Sequence, residues 1–235
     1  NEKFNIFGFA KGSGMIHPNM GTMLCYIFIE SKLSDKVLNK LLKDNLDTTF
    51  NSITVDSDTS TSDTLVLFSL NSKNNFNFEN KKNYKTLSNK LHMLMEDLSI
   101  QIIKDGEGLS KLIKVNIIKA KTKSQAKNIA FSIANSPLVK TAVAGEDANW
   151  GRVIMAIGKS YENINQNKIK ISFGKNNVCK NGQINKLINL RKLDHYMKNN
   201  IIEINVDLGI GNEKSSVYGN DLTNKYIQIN ADYRS

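Results

Sequence analysis

Between residues 84 and 104, apolar side chains return in steps of three and four: Leu87, Leu91, Leu94, Met95, Leu98 and Ile102. That spacing gathers them on one face of an amphipathic helix, which is stable only when the face is buried against something else. Shorter stretches alternate with a period of two and predict strands over Phe4–Ala10, Thr22–Ile29, 113–120, 168–173, 201–208 and 224–230. Leu65 to Leu70 is a further apolar run, and 71–83 reads as a polar connection. Additional helices are expected from Ser34 or Asp35 through Leu38, Leu41 and Leu42, over 123–135, from Asn149 through Ile157, and over 190–199. Residues 177–184 predict a hairpin turning at Asn181-Gly182. Helices and strands mixed in this way predict an α/β chain of the mixed α+β kind.

At 235 residues, 40% of them hydrophobic, the chain can bury a real core as one large domain or two small ones. It begins with Asn1 and not Met, which suggests a fragment or a processed product. The net charge of +10 raises the question of nucleic acid. The basic residues are scattered, however, and form no aromatic-interleaved stripe, so neither a nucleic-acid partner nor a membrane is expected. No apolar run is long enough to span a bilayer and no secretion signal is evident, so a cytoplasmic location is expected. Cys25 and Cys179 are far apart with no CxxC pair, and His17, His92 and His195 lack metal-ligand spacing. No metal and no cofactor are expected. The G-x-S-x-G elbow of a serine hydrolase is absent, and Gly12-Ser13-Gly14 is too short for a phosphate-binding fingerprint.

Three polar segments remain as candidates for chemistry. The first runs from Lys11 through Gly12, Ser13, Gly14 and Pro18 to Gly21-Thr22, an irregular loop between two strands. A threonine hydroxyl is a weak nucleophile and needs a base. Cleavage before Thr22 would free an α-amino group with a pKa of about 7.7–8.0, able to take a proton near neutrality. Gly21 lacks a side chain and eases the strained conformation in which the hydroxyl attacks the preceding carbonyl. As a bare pair, Gly-Thr is also an ordinary turn. The second segment, Thr54–Thr64, is dense in hydroxyls and carboxylates. It lacks the glycine and terminal glutamate of an EF-hand loop, and such side chains commonly tie down turns. The third, Ala144–Arg152, holds the only tryptophan and three charged residues. It could supply a buried carboxylate–arginine pair or a carboxylate facing a substrate.

Taken together, these segments resemble one family. Lys11-Gly12-Ser13-Gly14-Met15-Ile16-His17-Pro18-Asn19-Met20-Gly21-Thr22-Met23-Leu24 is similar to the cleavage-site signature of the bifunctional glutamate/ornithine N-acetyltransferases of arginine biosynthesis. Four further stretches match it in order: Ile53–Thr64, Asp105-Gly106-Glu107-Gly108, Ser136–Arg152, and Tyr226–Ser235. The resemblance covers essentially the whole chain. It implies a layered sandwich of helices around packed sheets, like that of aminopeptidases with an N-terminal nucleophile, and incomplete without an upstream half. It implies self-cleavage between Gly21 and Thr22, so that residues 1–21 end an alpha chain and 22–235 form a beta chain. Thr22 would be the nucleophile, accepting an acetyl group from N-acetylornithine and passing it to glutamate. Acetyl-CoA is a possible further donor. By matching position, Lys11, Thr22, Glu146, Asn230 and Ser235 would contact the substrate. An amino acid carries a carboxylate and ammonium groups, so Lys11 is expected to face the former and Glu146 the latter.

Gly21 stands where alanine is usual, Ser235 where threonine is usual, Ala148 for a proline and Asn220 for a common cysteine. None of these changes removes a reacting group. The resemblance also implies an alpha-chain partner supplying the oxyanion hole, in an alpha/beta heterotetramer. Two other readings compete: a related self-cleaving aminopeptidase, in which water takes the acyl group, and a basic nucleic-acid-binding module.

Overall fold

The structure is a computed structural model, and it describes residues 4–17, 23–59, 64–70, 78 and 80–232. The chain divides into two compact units, Asn1–Asp105 and Gly106–Ser235. This division by packing is distinct from the expected division by processing at Gly21–Thr22.

The first unit contains β1 (Ile6–Lys11), β2 (Leu24–Ile29), α1 (Asp35–Leu46), β3 (Thr64–Ser69) and α2 (Lys81–Lys104). The strands form one sheet with β2 in the centre, antiparallel to β1 and parallel to β3. Alternation along β2 sends Cys25, Ile27 and Ile29 inward, and all three are fully buried. The spacing that predicts a helix over 84–104 is realised in α2, whose Leu87, Leu91, Met95, Leu98 and Ile102 are buried. Asn80 starts it by accepting a hydrogen bond from Lys82 N at 2.9 Å. The other face of the sheet is aromatic. Phe28 stacks on Phe7 at 5.1 Å and on Phe68 at 4.8 Å between ring centroids, and Phe9 lies 5.5 Å from Tyr26. Phe7 is 51% exposed and Phe9 60%.

The second unit contains β4 (Leu112–Ala120), α3 (Lys123–Ala134), α4 (Pro137–Ala144), α5 (Trp150–Lys159), β5 (Lys170–Phe173), β6 (Asn176–Lys180), β7 (Gln183–Ile184), α6 (Leu190–Met197), β8 (Ile201–Asp207), β9 (Glu213–Asn220) and α7 (Asn224–Asp232). The six strands make a mixed sheet in the order β7-β6-β5-β8-β4-β9, with β4 and β8 parallel. Side chains from β4 (Ile113, Val115, Ile117) and β8 (Ile202, Ile204, Val206) enter one core with Ile129 and Ile133 of α3 and Val153 and Ile157 of α5. Asn181 and Gly182 turn the β6–β7 hairpin with φ of 55° and 71°, as the Asn-Gly pair predicts. The mixed α/β class expected from the sequence is the class observed.

The strand expected over 224–230 is not formed; those residues belong to the helix α7. A strand needs a neighbour to take its backbone groups, and no strand among the described residues pairs with this segment. Thr223 Oγ1 accepts from Lys225 N at 3.2 Å and opens a helix, which satisfies its own backbone. None of the α7 side chains is buried, so the alternation of Tyr226, Ile227, Gln228 and Ile229 has no core to read it. Helix α4 and strand β9 are present without a counterpart among the elements expected from the sequence.

Candidate functional site

In the first unit, β1 ends where β2 and β3 begin: Lys11 is paired with Leu24, and Leu24 in turn with Thr64 of β3. This row closes the end of the sheet from which the glycine-rich loop emerges. Lys11 is exposed there. The loop is held by the hydroxyl- and carboxylate-rich block. Asp56 accepts hydrogen bonds from Met15 N at 2.7 Å (Oδ2) and Ile16 N at 3.2 Å (Oδ1). Asp56 Oδ1 also accepts from Asp58 N at 3.3 Å, and Val55 N donates to Ile16 O at 2.8 Å. A carboxylate that collects several backbone N–H groups fixes the loop that carries them. This clamp suits its strained backbone, in which Met15 has φ 52°. His17 Nδ1 lies 3.5 Å from Thr54 Oγ1. Burial pulls the His17 imidazole below its ordinary value, and the charges of Asp56 and Asp58 pull the other way. Beyond the loop, Thr64 N donates to Met23 O at 2.9 Å.

The clamp therefore ties the chain before and after the expected cleavage site. Gly21 and Thr22 themselves lie outside the described residues, as does Ser235.

In the second unit, Glu146 follows α4 in a left-handed conformation with φ 59°. The backbone there is anchored by Glu146 N to Val143 O at 3.0 Å and Asp147 N to Ala142 O at 2.8 Å. Its carboxylate has a partner in the structure: Lys111 Nζ, 3.1 Å from Oε1. The same Nζ donates to Asn199 O at 3.3 Å. Lys111 is only 7% exposed, so its ammonium depends on these acceptors. The carboxylate–arginine pair considered for this segment is thus a carboxylate–lysine pair. Arg152 donates instead to Leu138 O at 2.8 Å. Asn149 caps α5 by accepting from Arg152 N at 3.1 Å, which fixes where the loop ends.

Asn230 projects from α7 and donates through Nδ2 to Glu107 Oε2 at 2.8 Å and Tyr226 O at 3.1 Å. The turn carrying Glu107 is locked to the start of α7. Thr223 Oγ1 donates to Gly108 O at 2.6 Å, and Asp221 accepts from both Ser110 N (2.9 Å) and Ser110 Oγ. Gly108 has φ 68°, and a Cβ placed there would lie 2.3 Å from Tyr226 N, so only glycine fits. Nearby, buried Lys140 donates to Asn220 Oδ1 at 3.2 Å, a bond that a cysteine at 220 could not accept as well.

Two of the stretches that carry the resemblance, 136–152 and 226–232, are thereby tied to the segment 107–111, which overlaps a third, 105–108. Glu107 lies within such a stretch and so had a signal in the sequence. Lys111 had none, since a lone lysine before a strand does not announce a partner thirty-five residues away. Among the described residues, no group of three or more His, Cys, Asp or Glu side chains could hold a metal ion. Nor is any helix among them long and apolar enough to cross a membrane.

Comparison with known proteins gives a consistent picture. The ArgJ family matches residues 1–235. An arginine biosynthesis bifunctional protein ArgJ of Bartonella henselae is 46% identical over 237 residues, covering 100% of this chain and 58% of that protein. The protein of the same name from Brucella suis biovar 1 is 44% identical over 235 residues, covering 98% of this chain and 57% of its own length. This chain thus spans under two thirds of the relatives it matches. The crystal structure of the arginine biosynthesis bifunctional protein argJ from Bacillus halodurans superposes with a TM-score of 0.79 at 35% identity, covering 90% of this chain and 100% of that one. The match extends over every segment described above, and the chain belongs to the ArgJ family.

Proposed function

We propose that this chain is the nucleophile-bearing part of an N-acyltransferase of arginine biosynthesis. It moves an acetyl group from N-acetylornithine to glutamate by way of an acetyl-Thr22 intermediate. The observation that carries the reading is the clamp on the Lys11–His17 loop. Asp56 and Val55 hold Met15 and Ile16 on one side of the cleavage site, and Thr64 holds Met23 on the other. A segment fixed at both ends is what an intramolecular attack requires, because it removes the entropy of bringing hydroxyl and carbonyl together.

In the maturation step, Thr22 Oγ attacks the Gly21 carbonyl carbon and the peptide nitrogen leaves, forming an ester. Water then hydrolyses the ester, leaving a carboxylate on Gly21 and a free amine on Thr22. In the transfer step that amine accepts the hydroxyl proton while Oγ attacks the acetyl carbonyl. Ornithine leaves with the proton. The glutamate amine attacks the ester carbonyl, acetylglutamate departs, and the hydroxyl is regenerated. Lys11 supplies a cation for the substrate carboxylate. Glu146, Asn230 and Ser235 supply acceptors and a hydroxyl for its remaining polar groups. Acetyl-CoA is a second donor in this reading.

The partner in this reading is the upstream part of the protein, as an alpha chain that contributes the oxyanion hole within an alpha/beta heterotetramer in the cytoplasm. The aromatic face of the first sheet, where Phe7, Phe9 and Phe68 are exposed around a half-buried Phe28, offers it an apolar surface to bury. The test is incubation of the full-length protein with N-acetylornithine and glutamate. Formation of acetylglutamate in step with ornithine, without free acetate, supports transfer. Release of acetate without acetylglutamate sinks it and favours a hydrolase.

A further inference from the structure

Asn230 has two N–H donors and one carbonyl acceptor on its side chain. Both donors are consumed within the chain, one on Glu107 Oε2 at 2.8 Å and one on Tyr226 O at 3.1 Å. Glu107, with the Tyr226 carbonyl, settles which end of the amide points which way. An ionised carboxylate only accepts, so the amide nitrogen must face it and the oxygen must face away. Glu107 is itself held in place, because the turn that bears it is fixed to α7 at Gly108 O by Thr223 and at Gly108 Cα by the close approach of Tyr226.

We propose that Glu107 is a positioning residue that presents Asn230 to the substrate as a hydrogen-bond acceptor. The proposal rests on the reading that Asn230 contacts the substrate. It adds a statement of specificity. Asn230 reads a donor on the amino-acid substrate, an ammonium or an amide N–H, and not its carboxylate. Without Glu107 only the Tyr226 carbonyl still holds the amide nitrogen, so the NH₂ end turns outward more readily, where it repels an ammonium and favours the wrong group.

The test exploits the polarity of the bond, in the full-length protein with its upstream part, by steady-state kinetics with N-acetylornithine and glutamate. Asn230→Ala should raise KM. Glu107→Ala should raise it by about threefold to tenfold with kcat within about twofold, the scale of one charge-assisted hydrogen bond. Asn230→Asp keeps the acceptor but sets two carboxylates against each other, and should raise KM by about tenfold or more. Adding Glu107→Gln to Asn230→Asp lets the new amide donate to the new carboxylate, restoring the orientation with donor and acceptor exchanged. KM should then return to within about threefold of the parent, a non-additive recovery that a purely structural role does not produce. A double variant no better than Asn230→Asp, or a Glu107→Ala variant with unchanged KM beside an impaired Asn230→Ala, overturns the positioning role alone. An unchanged KM in Asn230→Ala overturns the substrate contact on which it rests. Asn230 is exposed and Glu107 partly so, and thermal unfolding of each variant separates a loss of fold from a loss of orientation.

Discussion

Lys111 and Glu146 form an ion pair across the second unit, with Nζ 3.1 Å from Oε1, the lysine side chain 9% exposed and the glutamate 43%. The asymmetry matters. The buried ammonium needs the carboxylate more than the carboxylate, which stays partly exposed, needs the ammonium.

Removing either partner should therefore have different consequences. Glu146→Ala leaves a buried ammonium with only a carbonyl, and should lower stability by about 1–2 kcal/mol, reduced from the fully buried case by the exposure of the glutamate. Lys111→Met removes charge and desolvation cost together and should stay within about 1 kcal/mol of the parent. Chemical denaturation of the full-length variants checks the order. Glu146→Gln should raise KM for acetylornithine. Unchanged KM and kcat would remove Glu146 from the substrate site.

Asp56→Ala should slow maturation more than it unfolds the protein. It deletes the acceptor of Met15 N and Ile16 N, and each lost bond to a charged group weighs about 1.5–3 kcal/mol. The fraction of uncut precursor on a gel at fixed times after synthesis should rise at least about tenfold. Normal cutting by the variant would show that the clamp does not govern the loop.

His17 should make the first unit acid-sensitive. Its folded pKa lies below the unfolded value of 6.5, chiefly through burial, so the unfolded chain binds the proton more readily. Its contribution is full above pH 6.5 and is lost as pH falls through the folded value. Thermal midpoints should drop between pH 7 and pH 5 by more in the parent than in a His17→Asn variant. An identical pH profile in the two would exclude His17 as the cause.

Both cysteines should resist thiol reagents in the folded state. Cys25 is fully buried and its thiol is pushed up to about 12, and burial also raises Cys179. Labelling with a chromogenic disulfide should require denaturant. Rapid modification of either residue under native conditions would contradict the packing around it.

What the sequence made legible follows the physics of local signals. The helix α2 was readable because Leu87, Leu91, Met95, Leu98 and Ile102 all meet one core. The β6–β7 turn was readable because Asn181 and Gly182 tolerate positive φ. Residues 224–230 misled because alternation predicts a strand only where a sheet edge is waiting, and no α7 side chain reaches a core. The strand β9 escaped because Glu213–Asn220 is largely polar, and its one fully buried apolar side chain is Val217. Helix α4 had a cap at Ser136 and a proline at its first position, the pattern of a helix start, inside a stretch read for its charges. Among the candidate residues, Lys11, Glu146 and Asn230 came from the resemblance. Glu107 lies within a matching stretch and Lys111 does not, but the pairing of each, with Asn230 and with Glu146, came only from tertiary contact, because a sequence does not display which distant charge a carboxylate or amide will meet.

The most direct measurement is mass spectrometry of the full-length precursor, expressed with its native upstream part. Two chains split between Gly21 and Thr22, with Thr22→Ala remaining whole, are expected. An intact parent chain, a cut at another bond, or a cut that survives Thr22→Ala would contradict Thr22 as the nucleophile.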